Sequence, residues 1–217
     1  MALDGLIFDL DGTLVDTNGS HISAWVQAFA QSGFRIPADR IAREVGEGGD
    51  QLVPRILGEQ ADKGFGDALR KTINGLRHEE VLAAVVAGIR EGGAEPRLVR
   101  VRRSSDVAFI AHDAARLSGS GVGVGLQSKG TAVIHRADLQ PLDNLELFGM
   151  APLLTLDSYR AIGRNAAGYA LGETVGPVPT ELDNFARAKL IVTTTLLHAR
   201  ETAATVPDAA AVDVTLA

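Results

Sequence analysis

Leu117-Ser118-Gly119-Ser120-Gly121-Val122-Gly123-Val124-Gly125-Leu126-Gln127-Ser128-Lys129-Gly130-Thr131 is dense in glycine and serine within an otherwise apolar part of the chain. Gly121, Gly123 and Gly125 alternate at the period of a strand, and Thr131 to His135 is a second strand candidate beyond Ser128-Lys129-Gly130. Glycine lets a backbone approach a ligand closely, and successive N–H groups can form an anion-binding concavity, to which Lys129 adds a point charge. The same glycines also suit a strand pressed against a neighbouring element. This is not a Walker loop, because Lys129 precedes a glycine. Spacing leaves both uses open.

Outward from that stretch, strand and helix signals alternate. Ser104-Ser105-Asp106 offers a cap for a helix running to Leu117, and Arg97 to Arg102 reads as a strand. Leu82, Val85, Val86 and Ile89 mark a helix over 79–91, stopped by Gly92-Gly93. Downstream, Thr155 caps a helix to about Leu171, and Asn184 to Glu201 reads as one final helix. Gly5 to Leu10 is an apolar strand candidate entering the Asp11-Gly12 turn, and residues 14–72 read as a small helical cluster. This order predicts an α/β fold: three layers, with a mixed, partly parallel sheet flanked by helices, plus a small cap-like helical piece. The predicted divisions are 1–72, 73–202 and a frayed tail over 203–217.

Composition narrows the function classes. The chain has 217 residues, 46% hydrophobic and 22% charged, with a net charge of −6, so it can bury a substantial core. An acidic balance with only 5% aromatics argues against a nucleic-acid binder. With no cysteine there is no disulfide, no thiolate catalysis and no Cys-ligated metal. No signal peptide or membrane span is expected, and the expected location is cytoplasmic, a bacterial microcompartment included.

Phe8-Asp9-Leu10-Asp11-Gly12-Thr13-Leu14-Val15-Asp16-Thr17 sets two carboxylates at i and i+2 where a strand enters a turn, a pattern able to hold Mg²⁺ against a phosphoryl group. The stretch resembles the first motif of haloacid-dehalogenase-type phosphatases. The resemblance implies Asp9 as nucleophile and Asp11 as proton carrier, both weak Mg²⁺ candidates. Phosphoryl transfer also needs a hydroxyl, a lysine and a further acidic cluster. Downstream no two Asp residues are adjacent, and no Gly-Asp is followed four residues later by Asp. The pair is therefore expected to be vestigial.

A longer resemblance covers residues 74–202. Ser104 to Phe109, Leu117 to Gly121, Gln127 to Thr131, Val133 to His135, Pro141-Leu142, Asn144 to Phe148, Ala151 to Leu154 and Arg164 to Ala167 resemble the medium subunit of adenosylcobalamin-dependent diol or glycerol dehydratases. In that family a large barrel subunit carries the catalytic groups, and the medium subunit closes over the other side of the cofactor. The resemblance implies no catalytic residue on this chain, and partners in the large and small subunits and the reactivating factor. It assigns Lys129 to the nucleotide-loop phosphate. Asp106, Ser120, Thr131 and Asn144 would hydrogen-bond corrin amides or the loop, and Arg187 would add a polar contact. From the residues alone, Asp106 equally suits a helix cap, and His135 suits a strand-end hydrogen bond. Family members usually begin this domain with an apolar strand that is absent here, and Gly5 to Leu10 is expected to supply it. Gly149 and Ala188 stand where prolines are usual. The alternatives are an Mg²⁺-dependent phosphatase and the small subunit of the reactivating factor.

Overall fold

In the computed structural model the described residues are 18–45, 49–58 and 75–216. Asp9, Asp11 and the Gly5 to Leu10 strand candidate lie outside them. The fold is mixed helix and sheet, as the alternation predicted. Three strands, β2 (Val122–Leu126), β3 (Ala132–Arg136) and β4 (Glu146–Phe148), form one sheet in the order β2-β3-β4. A second, two-stranded sheet pairs β1 (Val99–Arg100) with β5 (Val212–Asp213).

Every strand pairing among the described residues is antiparallel, so the partly parallel sheet is not what these residues form. The reason lies in connection length. Parallel neighbours need a crossover of a dozen or more residues, whereas only residues 127–131 link β2 to β3. The tail is not frayed either. Val214 N–H donates to Leu98 O at 3.0 Å, Val206 N–H to Arg102 O at 2.7 Å, and Arg97 Nε reaches Asp213 at 2.7 Å.

Helices cover both faces of the larger sheet. The register places Val124 opposite Ile134 and Gly125 opposite Val133, so the two faces separate by parity. On one face Val122, Ala132, Ile134 and Phe148 share a core with Val81 and Val85 of α4 (His78–Glu91) and Tyr159 and Ile162 of α6 (Leu156–Ala170). The other face carries Gly123 and Gly125 against α5 (Val107–Leu117). A Cβ on Gly125 would meet Val107 O at 2.5 Å and Ala111 N at 2.7 Å, and one on Gly123 would meet Ala111 O at 2.7 Å. The alternating glycines therefore serve close helix–sheet packing.

The N-terminal helices α1 (Asn18–Gln31), α2 (Ala38–Ala42) and α3 (Gly49–Leu57) bury Phe29, Ile41, Leu52 and Ile56 in a second core. That core is completed by Val192 and Leu196 of α8 (Ile191–Ala203). Burying each such side chain contributes about 1.5–3 kcal/mol. The expected single final helix is broken at Leu190 into α7 (Asn184–Lys189) and α8. Both halves contact α1; beyond it, α7 contacts the 3-10 turn Ala151–Leu153 and α8 contacts α3.

Candidate functional site

The turn 127–131 closes the β2–β3 hairpin with Lys129 at its middle, half-buried. Gln127 N–H donates to Thr131 O at 3.0 Å and Gly130 N–H to Gln127 O at 2.8 Å, with Gly130 at φ 94°, where glycine carries no Cβ penalty. Side chains from three helices then tie the turn down. Tyr159 Oη of α6 donates to Gly130 O at 2.6 Å, and His78 Nε2 of α4 lies 2.7 Å from Ser128 O. Ser128 donates its N–H (3.2 Å) and its hydroxyl (3.0 Å) to Glu201 of α8. From below, Gln127 Nε2 donates to Ser105 O at 2.5 Å.

Electrostatics at the turn are mixed. Burial pushes the Glu201 carboxyl above its ordinary range, against the hydrogen bonds from Ser128 and the charge of Lys129, which act to lower it. Burial likewise raises the Tyr159 phenol, so it stays a hydrogen-bond donor at neutral pH. The Ser128 N–H that an anion-binding turn would offer is already occupied by a carboxylate.

The other sequence-predicted residues divide between the two ends of the hairpin. Asp106 is the N-cap of α5, its Oδ1 accepting from Ala108 N–H at 2.8 Å and Phe109 N–H at 3.4 Å, and its Oδ2 takes no part in the cap. Thr131 is buried beside the Lys129 turn. These lie at one end. Ser120 and Asn144 lie at the other, about 17 Å away by the length of a five-residue strand. Ser120 Oγ accepts from Val122 N–H at 3.3 Å on an exposed turn. Asn144 Nδ2 reaches Leu142 O at 3.4 Å, while its Oδ1 is buried with no hydrogen-bond partner. The backbone of Arg187 is in α7; its side chain lies outside the described residues. His135 is fully buried, its Nδ1 2.8 Å from Arg136 O and its Nε2 3.1 Å from Pro141 O, so both ring nitrogens are engaged.

The sequence reading missed Glu201, His78 and Tyr159 as partners of the turn. They come from three helices and lie 29, 50 and 73 residues from their partners in the turn, and no local pattern signals them. Also unforeseen is a cleft of about 1100 Å³ bounded by α4, β1, α5, β2 and the end of α8. Among the described residues, no group of three or more His, Asp or Glu side chains could hold a metal ion. No described helix is long and apolar enough to cross a membrane.

With this geometry in view, similarity to known proteins divides the chain in two. Residues 6–92 match the family model for haloacid dehalogenase-like hydrolases. Residues 65–175, which overlap that stretch over 65–92, match the model for the dehydratase medium subunit. A solved glycerol dehydratase reactivase is 21% identical, covering 46% of this chain and 87% of its own, with a TM-score of 0.38. Asp106, Ser120, Lys129, Thr131 and Asn144 all fall inside the dehydratase match, and Arg187 falls beyond it. With just over half of its length matched, the chain belongs to the dehydratase medium-subunit family.

Proposed function

We propose that the chain acts as the medium subunit of an adenosylcobalamin-dependent diol dehydratase, which converts propane-1,2-diol or glycerol to an aldehyde plus water. Its part is to hold the nucleotide-loop side of the cofactor, with large and small subunits as obligate partners and a reactivating factor as a further one. The observation that carries this reading is the Lys129 turn, held from three helices within the family-matched stretch.

The donor and acceptor set suits the cofactor. Corrin side-chain amides present N–H donors, and Asn144 Oδ1 is a buried acceptor without a partner, at a cost of about 1–3 kcal/mol for as long as it stays unmet. Asp106 Oδ2 and the exposed Ser120 hydroxyl are further acceptors, and Lys129 supplies the point charge for a phosphate. The two groups of residues stand a strand length apart, so the ligand they share must be extended. When bound, adenosylcobalamin supplies the radical chemistry; this chain binds and orients.

Reconstitution with large and small dehydratase subunits and adenosylcobalamin tests the reading. Aldehyde formation from propane-1,2-diol should require this chain. Lys129→Ala should weaken cofactor affinity about tenfold or more, the scale of one charge-assisted hydrogen bond worth about 1.5–3 kcal/mol. No activity and no corrinoid retention by the assembled subunits would overturn it. A phosphatase reading rests on the match over 6–92. It predicts Mg²⁺-dependent phosphate release from an aryl phosphate that Asp9→Asn abolishes.

A further inference from the structure

Helix α8 lies beyond both family-matched stretches, 6–92 and 65–175, yet it touches the helical cluster of the first and the hairpin turn of the second. Near its start, the buried Val192 and Leu196 enter the core built by Phe29, Ile41, Leu52 and Ile56 of the N-terminal helices. Glu201 stands five residues beyond Leu196, about 140° round the axis at 3.6 residues per turn. On that side it receives the Ser128 N–H at 3.2 Å. The Ser128 hydroxyl lies 3.0 Å from the same carboxylate and 3.2 Å from Leu197 O. One residue on, Thr202 Oγ1 pairs with Ser105 Oγ at 2.8 Å, and Ser105 O accepts from Gln127 Nε2. One helix thus serves the N-terminal cluster with one side and the 127–131 turn with another, Val192 and Glu201 being about 14 Å apart along its axis.

Little in its own sequence makes α8 a helix. Its 13 residues are of a length at which an isolated helix is marginal in water. The flanking Leu190 gives its first N–H groups no side-chain cap. Residues 191–195, Ile-Val-Thr-Thr-Thr, are all β-branched, and their restricted χ1 lowers helix propensity. The Thr194 and Thr195 hydroxyls turn back to Leu190 O at 2.9 Å and Ile191 O at 2.8 Å, a contact that slightly weakens a helix. The helix therefore depends on packing along its length. Such an element is formed or frayed, and the contacts on either side bias that one equilibrium.

We propose that α8 is a relay between the two parts of the chain: the N-terminal helical cluster keeps α8 helical, α8 holds the Glu201 carboxylate against Ser128, and the 127–131 turn is thereby kept in place. The cluster acts on the turn conformationally, and Glu201 is the positioning residue through which it acts. Linkage makes the coupling reciprocal, so whatever steadies the turn also steadies the cluster. The relay works through the contacts of α8 itself, whichever ligand meets the turn. It is independent of the cofactor reading.

Residue-resolved amide exchange on the full chain tests the relay. The reporter is the Ser128 N–H bonded to Glu201. The internal reference is the Gly125 N–H, which alternation from the Gln127–Thr131 bond places in a hydrogen-bonded pair with Val133. Leu52→Ala leaves a cavity at a fully buried position of α3 in the second core. It should quicken exchange at Ile56 and Leu57 and, through α8, raise the Ser128 rate at least tenfold while Gly125 keeps its own. Faster exchange at Ile56 and Leu57 with Ser128 unchanged overturns the proposal. Should Leu52→Ala unfold the whole chain, the reverse direction decides. Glu201→Ala removes the tie to Ser128 and should raise the Ile56 and Leu57 rates at least threefold. Glu201→Gln, whose amide oxygen still accepts from Ser128, should bring them back to the parent values. Unaltered rates at Ile56 and Leu57 in Glu201→Ala overturn the relay. So do raised rates that Glu201→Gln fails to restore, since the hydrogen bond to Ser128 is then not their cause.

Discussion

Gly125→Ala should destabilise the protein by about 2 kcal/mol or more, and the figure can be built from the contacts. The added methyl would lie 2.5 Å from Val107 O, 2.7 Å from Ala111 N and 2.9 Å from Ala111 Cβ. The two nearest atoms are helix backbone, which cannot rotate away, so α5 must retreat by about 1 Å along its N-terminal half. Overpacking of this kind costs about 1–3 kcal/mol. The reduced freedom of the unfolded chain returns only about 0.4–1 kcal/mol. Rigid backbone on the opposing side places the cost at the upper end. Urea unfolding of the variant beside Gly119→Ala measures it, because a Cβ at Gly119 meets nothing within 4 Å. Gly119→Ala should stay within about 0.5 kcal/mol of the parent. A loss below about 0.5 kcal/mol for Gly125→Ala would refute the packing role and return the glycine run to close approach by a ligand.

Two further tests address the ends of α5 and the turn. Asp106→Ala should cost about 0.5–2 kcal/mol through loss of the cap, and Asp106→Asn should recover most of it, read from denaturation midpoints. Glu201 has its folded-state carboxyl pKa raised by burial, so its ionised form is disfavoured in the native protein. The folded state is thus relatively more stable below the ordinary Glu range and loses that advantage as pH rises through the raised pKa. Glu201→Gln should therefore gain on the parent as pH rises from 4 to 7; a stability difference that is flat with pH would count against it.

The parts of this fold that were readable from the sequence are those set by local chemistry. Asp106 and Thr155 carry cap side chains immediately before apolar periodicity, and both helices start where those caps predict. What was not readable depends on distant partners. The short strands β4 and β5 have too few residues to show a period, and β5 exists only because Val212–Asp213 meets Val99–Arg100 over a hundred residues earlier. The break at Leu190 is likewise unmarked in the sequence: its flanking helices share α1 but otherwise pack on the 3-10 turn and on α3. The hairpin was a different case. Its antiparallel sense was implied by the shortness of residues 127–131, but the strand–helix alternation around it pointed toward crossovers.

For the candidate site, the type of each polar residue was legible and its situation was not. Asp106 reads as an acceptor and proves to spend one oxygen on a helix terminus. Lys129 reads as a cation on a turn, and nothing near it in sequence announces the carboxylate from α8 beneath.

The tethering of the 127–131 turn has a thermodynamic consequence for whatever meets Lys129. Immobilising a loop upon association ordinarily costs about 1–2 kcal/mol per residue in backbone entropy. Here Tyr159, His78 and Glu201 hold Gly130 and Ser128 still before any encounter, so that cost was met when the chain folded. What binds at the turn meets a backbone already ordered, so less of the attraction is spent on ordering it.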